Sequence, residues 1–247
     1  MRMNLRGRKA VVTGAARRIG RAIALDLARR GVDLVVHYRA SGAEAASVVR
    51  EARELGVTAV AVEADLAARE GVDHLVQEAL AAFGRVDILV NNAAVYRPTP
   101  FDSLTESAWD EHLAVNLKAP FLLSLALGRG MRRQGEGKIV HLADWAAERP
   151  YPGFLPYCVS KAGLIGLVRA LALELAPKVQ VNAVSPGPIL NPAGFTRDQI
   201  QAIPGTSPLG RLGTPEEVAA AVAFLVAGPD YITGAVLPVD GGRGIAP

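Results

Sequence analysis

The chain has 247 residues, half of them hydrophobic and 21% charged, a balance that suits a large buried core and argues against disorder. Its 27 Lys and Arg against 24 Asp and Glu give a net charge of +3, and there is no long basic run or aromatic–basic interleaving, so nucleic-acid binding is not expected. The one cysteine, Cys158, excludes an internal disulfide or thiolate cluster, and the histidines at 37, 74, 112 and 141 lack ligand spacing, so no metal is expected.

The opening "MRMNLRGRKA" has charges but no apolar region, so it does not read as a secretory signal. Short β-branched runs then alternate with helical segments. Strands are expected at 9–13, 32–38, 57–63, 86–92, 137–143, 179–185 and 235–240, and helices at about 18–30, 41–55, 68–83, 105–134, 153–176 and 215–227. Gly31 after "ARR" is a helix stop with cations in the last turn. "TPEE" at 214–217 places Thr at an N-cap, Pro at N1 and acids in the first turn. The longest apolar stretch, "VAAAVAFLVA" at 218–227, is about half the ~20 residues a membrane span needs, so no membrane association is expected and the cytoplasm is the expected location.

Strands separated by helix-length connections imply right-handed crossovers and a parallel sheet, and several strands apolar on both faces imply helices on both sides. The expected architecture is α/β: a doubly wound Rossmann-type fold with a seven-stranded parallel sheet, one domain over residues 1–247. The irregular stretches 93–104, 144–153 and 186–213 follow strands four, five and six, where a parallel open sheet builds its ligand crevice.

"TGAARRIG" at 13–20 sits between the first strand and first helix. Gly14 permits a tight turn, Gly20 lets the helix pack closely, and the helix start offers N–H groups to a pyrophosphate. Arg17, Arg18 and Arg21 crowd that helix N-terminus, where the macrodipole disfavours each cation by ~0.3–1 kcal/mol. A bound polyanion would reverse that sign; otherwise the arginines face solvent. Strand two ends in "VVHYRAS". Tyr38, followed by Arg39 and Ser41, stands where an NAD-preferring fold places an acid. Arg39 would pair with a 2′-phosphate, so NADP(H) is the expected cofactor, against the alternative of an ordinary exposed arginine. Asp65 in "VEADL" either accepts from an adenine amino group or caps a helix.

"YCVSK" sets Tyr157 and Lys161 four residues apart on one helix face. A phenol is too weak an acid to exchange protons readily at neutral pH, and a neighbouring ammonium favours its phenolate, making a usable general acid/base. With "TGAARRIG", "ADL" at 64–66, "NNAA" at 91–94, "VN" at 115–116, "YCVSK" and "SPGPI" at 185–189 in order, the chain resembles the short-chain dehydrogenase/reductases over essentially its whole length. The resemblance implies that Tyr157 is the proton donor, that Lys161 holds the nicotinamide ribose and tunes Tyr157, and that Asn116 supports a proton-relay water. It implies a cofactor site taking in Gly14, Arg18, Ile19, Gly20, His37, Tyr38, Arg39, Ser41, Asp65, Leu66, Asn92, Ala93, Lys161, Pro186, Gly187 and Ile189. It also implies a homotetramer formed by the helices at about 105–134 and 153–176.

Two positions depart from that family's usual pattern. The serine usually found thirteen residues before the tyrosine is Asp144, and the middle glycine of the loop is Arg18. An ionised carboxylate repels the oxyanion of a ketone being reduced but favours the cation formed when a C=N bond takes up a proton. Alternatively, Asp144 merely caps a turn. Both departures, with "HYR" after strand two and "NNAAVYRPTPF" at 91–101, resemble the pteridine reductases. That resemblance implies a substrate held by Arg18, Tyr96, Asp144 and Tyr157, with Tyr96 as a stacking ring where better-known members carry phenylalanine. The expected function is NADPH-dependent reduction of a dihydropterin or dihydrofolate. The alternatives are an NADPH-dependent carbonyl reductase, such as a 3-oxoacyl-thioester reductase, and a non-catalytic NADP-binding regulator, against which the intact Tyr157, Lys161 and Asn116 count.

Overall fold

The computed structural model describes residues 3–190 and 207–246. Seven parallel strands form one sheet in the order β3-β2-β1-β4-β5-β6-β7. They are β1 (Lys9–Val12), β2 (Asp33–Tyr38), β3 (Ala59–Glu63), β4 (Ile88–Asn91), β5 (Gly137–Leu142), β6 (Val179–Pro186) and β7 (Val236–Val239). Every residue of β4 and β5 is buried, as expected for strands covered on both faces. One face carries α1 (Arg18–Arg29), α2 (Gly42–Glu54) and α7 (Pro215–Ala227). The other carries α3 (Arg69–Phe83), α5 (Ala119–Gln134) and α6 (Leu155–Leu175). Among the described residues no helix is long and apolar enough to cross a membrane.

The expected element ends shift by a residue or two, and one element differs in kind. The segment expected as a continuous helix over 105–134 is α4 (Glu106–Leu113), a π-turn over Ala114–Lys118, and α5. Pro120 has no N–H to give the carbonyl of Asn116, so the α ladder is interrupted there and widens. The "TPEE" signal forms a full capping box. The Glu217 N–H donates to Thr214 Oγ1 at 3.2 Å, and the Thr214 N–H donates to the Glu217 carboxylate at 2.8 Å.

Strand order reverses between β1 and β4, and the crevice opens at that switch point, outside the carboxyl ends of the strands. The loops after β1, β2, β3 and β4 line it. Most of the expected substrate segment 186–213, residues 191–206, lies outside the described residues.

Candidate active site

The turn after β1 needs Gly14, whose φ of 62° lies in the left-handed region. Its N–H donates to Nδ1 of His37 at 3.0 Å, and Nε2 of His37 pairs with the Ala64 carbonyl at 3.0 Å. Burial lowers the pKa of His37 to about 4, so the imidazole is neutral and braces the loop between β1 and β3. Thr13 Oγ1 accepts from the N–H groups of Asn92 and Ala93 at 2.9 and 3.0 Å, while Asn92 Nδ2 donates to the Thr13 and Gly14 carbonyls at 2.8 and 3.1 Å. A Cβ on Gly20 would overlap the Gly14 carbonyl oxygen, so only glycine lets α1 begin this close to the turn.

The loop arginines divide into two kinds. Arg17 pairs with Glu44 at 3.6 Å and Arg21 with Glu51 at 2.6 Å, both carboxylates on α2. Arg18 and Arg39 are exposed, line the crevice and have no partner among the described residues. Arg18 is the only non-glycine residue with positive φ among the described residues, at 55°. That conformation costs a non-glycine residue ~1–2 kcal/mol. Two unmatched cations beside a glycine turn and a helix start fit a polyanionic cofactor. Ile19, Gly20, Tyr38, Ser41, Asp65, Leu66, Asn92 and Ala93 line the same crevice, which encloses about 640 Å³. Asp65 Oδ1 accepts from the Ala67 N–H at 2.9 Å, capping a turn ahead of α3 rather than the helix itself. Pro186, Gly187 and Ile189 lie at the end of β6, outside that lining. The Gly187 N–H donates to the Val239 carbonyl at 3.0 Å, and Ile189 is a core residue packed with α1 and α7.

The chemistry-bearing groups meet where β5 hands over to α6. Asp144 Oδ1 accepts from the Ala146 N–H at 2.9 Å, while Oδ2 accepts from Tyr157 Oη at 2.7 Å. Asp144 thus both caps a turn and accepts from the tyrosine hydroxyl. Burial raises its pKa, against the opposing pull of the Ala146 N–H, Tyr157 and Lys161. Burial, then the charge of Asp144, holds Tyr157 well above the usual phenol range. Lys161 Nζ donates to the Leu142 carbonyl at 2.6 Å and stands 5.7 Å from the centre of the Tyr157 ring. Burial lowers its pKa to about 8, with Asp144 opposing.

Asn116 sits in the π-turn. Its Oδ1 accepts from the Val95 N–H at 2.8 Å, and its Nδ2 donates to the Val95 carbonyl and to Ser160 Oγ, both at 3.0 Å. Its side chain thus ties the loop after β4 to α6. That loop carries Tyr96, stacked on Phe154 (centroids 4.8 Å, planes 15° apart) and edge-on to Tyr157 (4.8 Å, 76°). Tyr151 continues the wall, stacking on Trp145 at 5.2 Å. Trp145, Tyr151 and Phe154 were not expected from the sequence, although the clustering of aromatics over 145–157 in a chain with 5% aromatic content is a signal for them. Among the described residues no group of side chains could hold a metal ion.

A family model described as "Enoyl-(Acyl carrier protein) reductase" matches residues 14–243. A 3-oxoacyl-[acyl-carrier-protein] reductase from Synechocystis is 40% identical over 238 residues, covering 94% of this chain and 95% of the relative. Among solved structures, a short-chain dehydrogenase from Burkholderia cenocepacia in complex with NADP superposes with a TM-score of 0.90 at 38% identity, over 98% of this chain and 99% of that one. The angucycline C-6 ketoreductase LanV with bound NADP superposes with a TM-score of 0.92 at 32% identity, over 98% of both chains. The Synechocystis relative is named a 3-oxoacyl-[acyl-carrier-protein] reductase and LanV a ketoreductase, so the pteridine-reductase subgroup does not follow from them. The chain belongs to the short-chain dehydrogenase/reductase family.

Proposed function

We propose that this protein is an NADPH-dependent reductase that adds hydride and a proton across a C=N bond of a flat nitrogen heterocycle of the dihydropterin or dihydrofolate class. The observation that carries this reading is the part-buried 2.7 Å hydrogen bond from Tyr157 to Asp144, at the position where the family usually has serine. When bound, NADPH supplies the hydride. The start of α1, Gly14, Arg18 and Arg39 would hold its phosphates, and Lys161 its nicotinamide ribose. Tyr157 holds the proton that the substrate nitrogen receives. Asp144 accepts from Tyr157 and, when ionised, stabilises positive charge on a protonated C=N group. Lys161, anchored on the Leu142 carbonyl, is cationic at neutral pH and offsets the carboxylate. Tyr96 and Phe154 offer an aromatic wall to a flat ring.

A second reading, carbonyl reduction, has support of its own. The Synechocystis relative is a 3-oxoacyl-[acyl-carrier-protein] reductase and LanV a ketoreductase, and sequence likeness favours this reading over the first. A ketone needs Asp144 protonated, the direction in which burial drives it. A neutral Asp144 would give the carbonyl oxygen an O–H donor in place of the missing serine. Steady-state NADPH oxidation with a dihydropterin and with an acetoacetyl thioester separates the readings. Turnover of the dihydropterin alone supports the first, and turnover of the thioester alone transfers the conclusion to the second. NADPH binding without turnover of any substrate in a broad panel leaves the regulator. The expected homotetramer would use the outer faces of α5 and α6, where Phe121 and Leu173 (84% exposed) stand out, and light scattering tests it.

A further inference from the structure

We infer that the hydroxyl of Tyr96, held in place by Tyr151, donates a hydrogen bond to an acceptor atom on the substrate ring, and so selects flat substrates by their edge chemistry as well as their shape. The inference rests on the flat-ring reading above.

Tyr151 donates its hydroxyl proton to Tyr96 Oη, with the oxygens 3.4 Å apart. A tyrosine hydroxyl has one proton to give and two acceptor positions. Tyr96 therefore receives from Tyr151 and keeps its own proton, for which no acceptor exists among the described residues. Tyr96 lines the crevice and is 40% exposed, so this unused donor is open to a ligand.

The geometry that aims it comes from two loops. Tyr96 is stacked on Phe154 at 4.8 Å. Tyr151 is stacked on Trp145 at 5.2 Å and meets Phe154 edge-on at 5.2 Å, and Trp145 is covered by the Arg243 guanidinium at 4.7 Å. The two loops are joined where the Thr99 N–H donates to the Gly153 carbonyl at 2.7 Å. Rings packed on their faces have little freedom, so the Tyr96 oxygen stays beside Tyr151 and its proton turns away from it. A ring with no acceptor would cover this donor and strand it, whereas a ring carbonyl or aromatic nitrogen would satisfy it. Tyr151 is a positioning residue, acting through Tyr96.

The test uses binding to the NADP⁺-loaded protein, read by calorimetry, with two probes of the same two-ring outline. Quinazolin-4-one carries ring acceptors and naphthalene carries none. Tyr96→Phe should weaken quinazolin-4-one about fivefold, the loss of one neutral hydrogen bond, and leave naphthalene unchanged. Tyr151→Phe should weaken quinazolin-4-one when Tyr96 is present and have no effect in the Tyr96→Phe background. Equal losses for both probes, or a Tyr151→Phe loss that persists without the Tyr96 hydroxyl, would overturn the assignment while leaving the flat-ring reading intact. If neither probe binds the wild-type complex, the flat-ring reading falls and the inference falls with it.

Discussion

Replacing Asp144 by Asn removes a charge while keeping the shape, because the Asn Oδ1 can still accept from the Ala146 N–H as Asp144 does at 2.9 Å. The size of the effect follows from the geometry. Tyr157 Oη lies 2.7 Å from Asp144 Oδ2. A substrate atom receiving the Tyr157 proton at ordinary hydrogen-bond length stands roughly 5 Å from that carboxylate oxygen. At an effective dielectric constant of about 20, two unit charges at that separation interact by about 3 kcal/mol. With half a unit of charge developed in the transition state, about 1.5 kcal/mol remains, or roughly tenfold in rate. The sign depends on the substrate: Asp144 helps a C=N bond that becomes cationic and hinders a carbonyl that becomes anionic. Asp144→Asn should therefore lower kcat/KM for a dihydropterin about tenfold and raise it for a ketone about tenfold, a change of about a hundredfold in their ratio. NADPH oxidation at pH 7 with both substrates measures this ratio directly. An unchanged ratio would refute the charge argument, since Asp144 would then be neutral in the working enzyme. A ratio shifted toward the pterin would refute its sign.

Arg18→Gly should raise thermal stability by ~1 kcal/mol, because glycine accepts a φ of 55° without strain, while weakening NADPH binding. Thermal melts with and without NADPH check both halves. Arg39→Ala should weaken NADPH by ~1.5–3 kcal/mol and leave NADH nearly unchanged, in a fluorescence titration with each dinucleotide; equal losses would mean the 2′-phosphate is read elsewhere. Lys161, whose pKa is lowered to about 8, is cationic below that value and neutral above it, so kcat/KM should fall as pH rises through about 8. A pH–rate profile tests this, and Asp144→Asn should move the alkaline limb to lower pH, because Asp144 holds the lysine's proton on.

The sheet and its flanking helices were legible because their signals are local. Alternation of β-branched runs with helix-length segments is written in consecutive residues, and "TPEE" carries its own cap. The placement of Tyr157 and Lys161 on one helix was legible for the same reason, one helical turn separating them. The expected lowering of the tyrosine's pKa by the lysine is corrected: burial and the charge of Asp144, which comes from another element, raise it. The π-turn at 114–118 was not anticipated, since its cause is the missing N–H of a proline on a pattern that otherwise reads as an uninterrupted helix. The aromatic wall escaped because Tyr96 and Phe154 come from different loops, and residues this far apart in sequence meet only when both loops close over the sheet.

The same division holds for the residues that depart from the family pattern. By itself the sequence determined that Arg18 replaces a glycine and Asp144 a serine, and that the irregular stretches follow strands four, five and six of a doubly wound sheet. Only the tertiary structure decided where these side chains lie and what they contact. Arg17 and Arg21 are matched by carboxylates on α2, while Arg18 is turned by a left-handed backbone onto the crevice without a partner among the described residues. Asp144 both caps a turn and accepts a hydrogen bond from the Tyr157 hydroxyl. Charge and spacing are properties of the chain; which charge is neutralised and which is left facing the ligand depends on helices and loops that meet only in the folded protein.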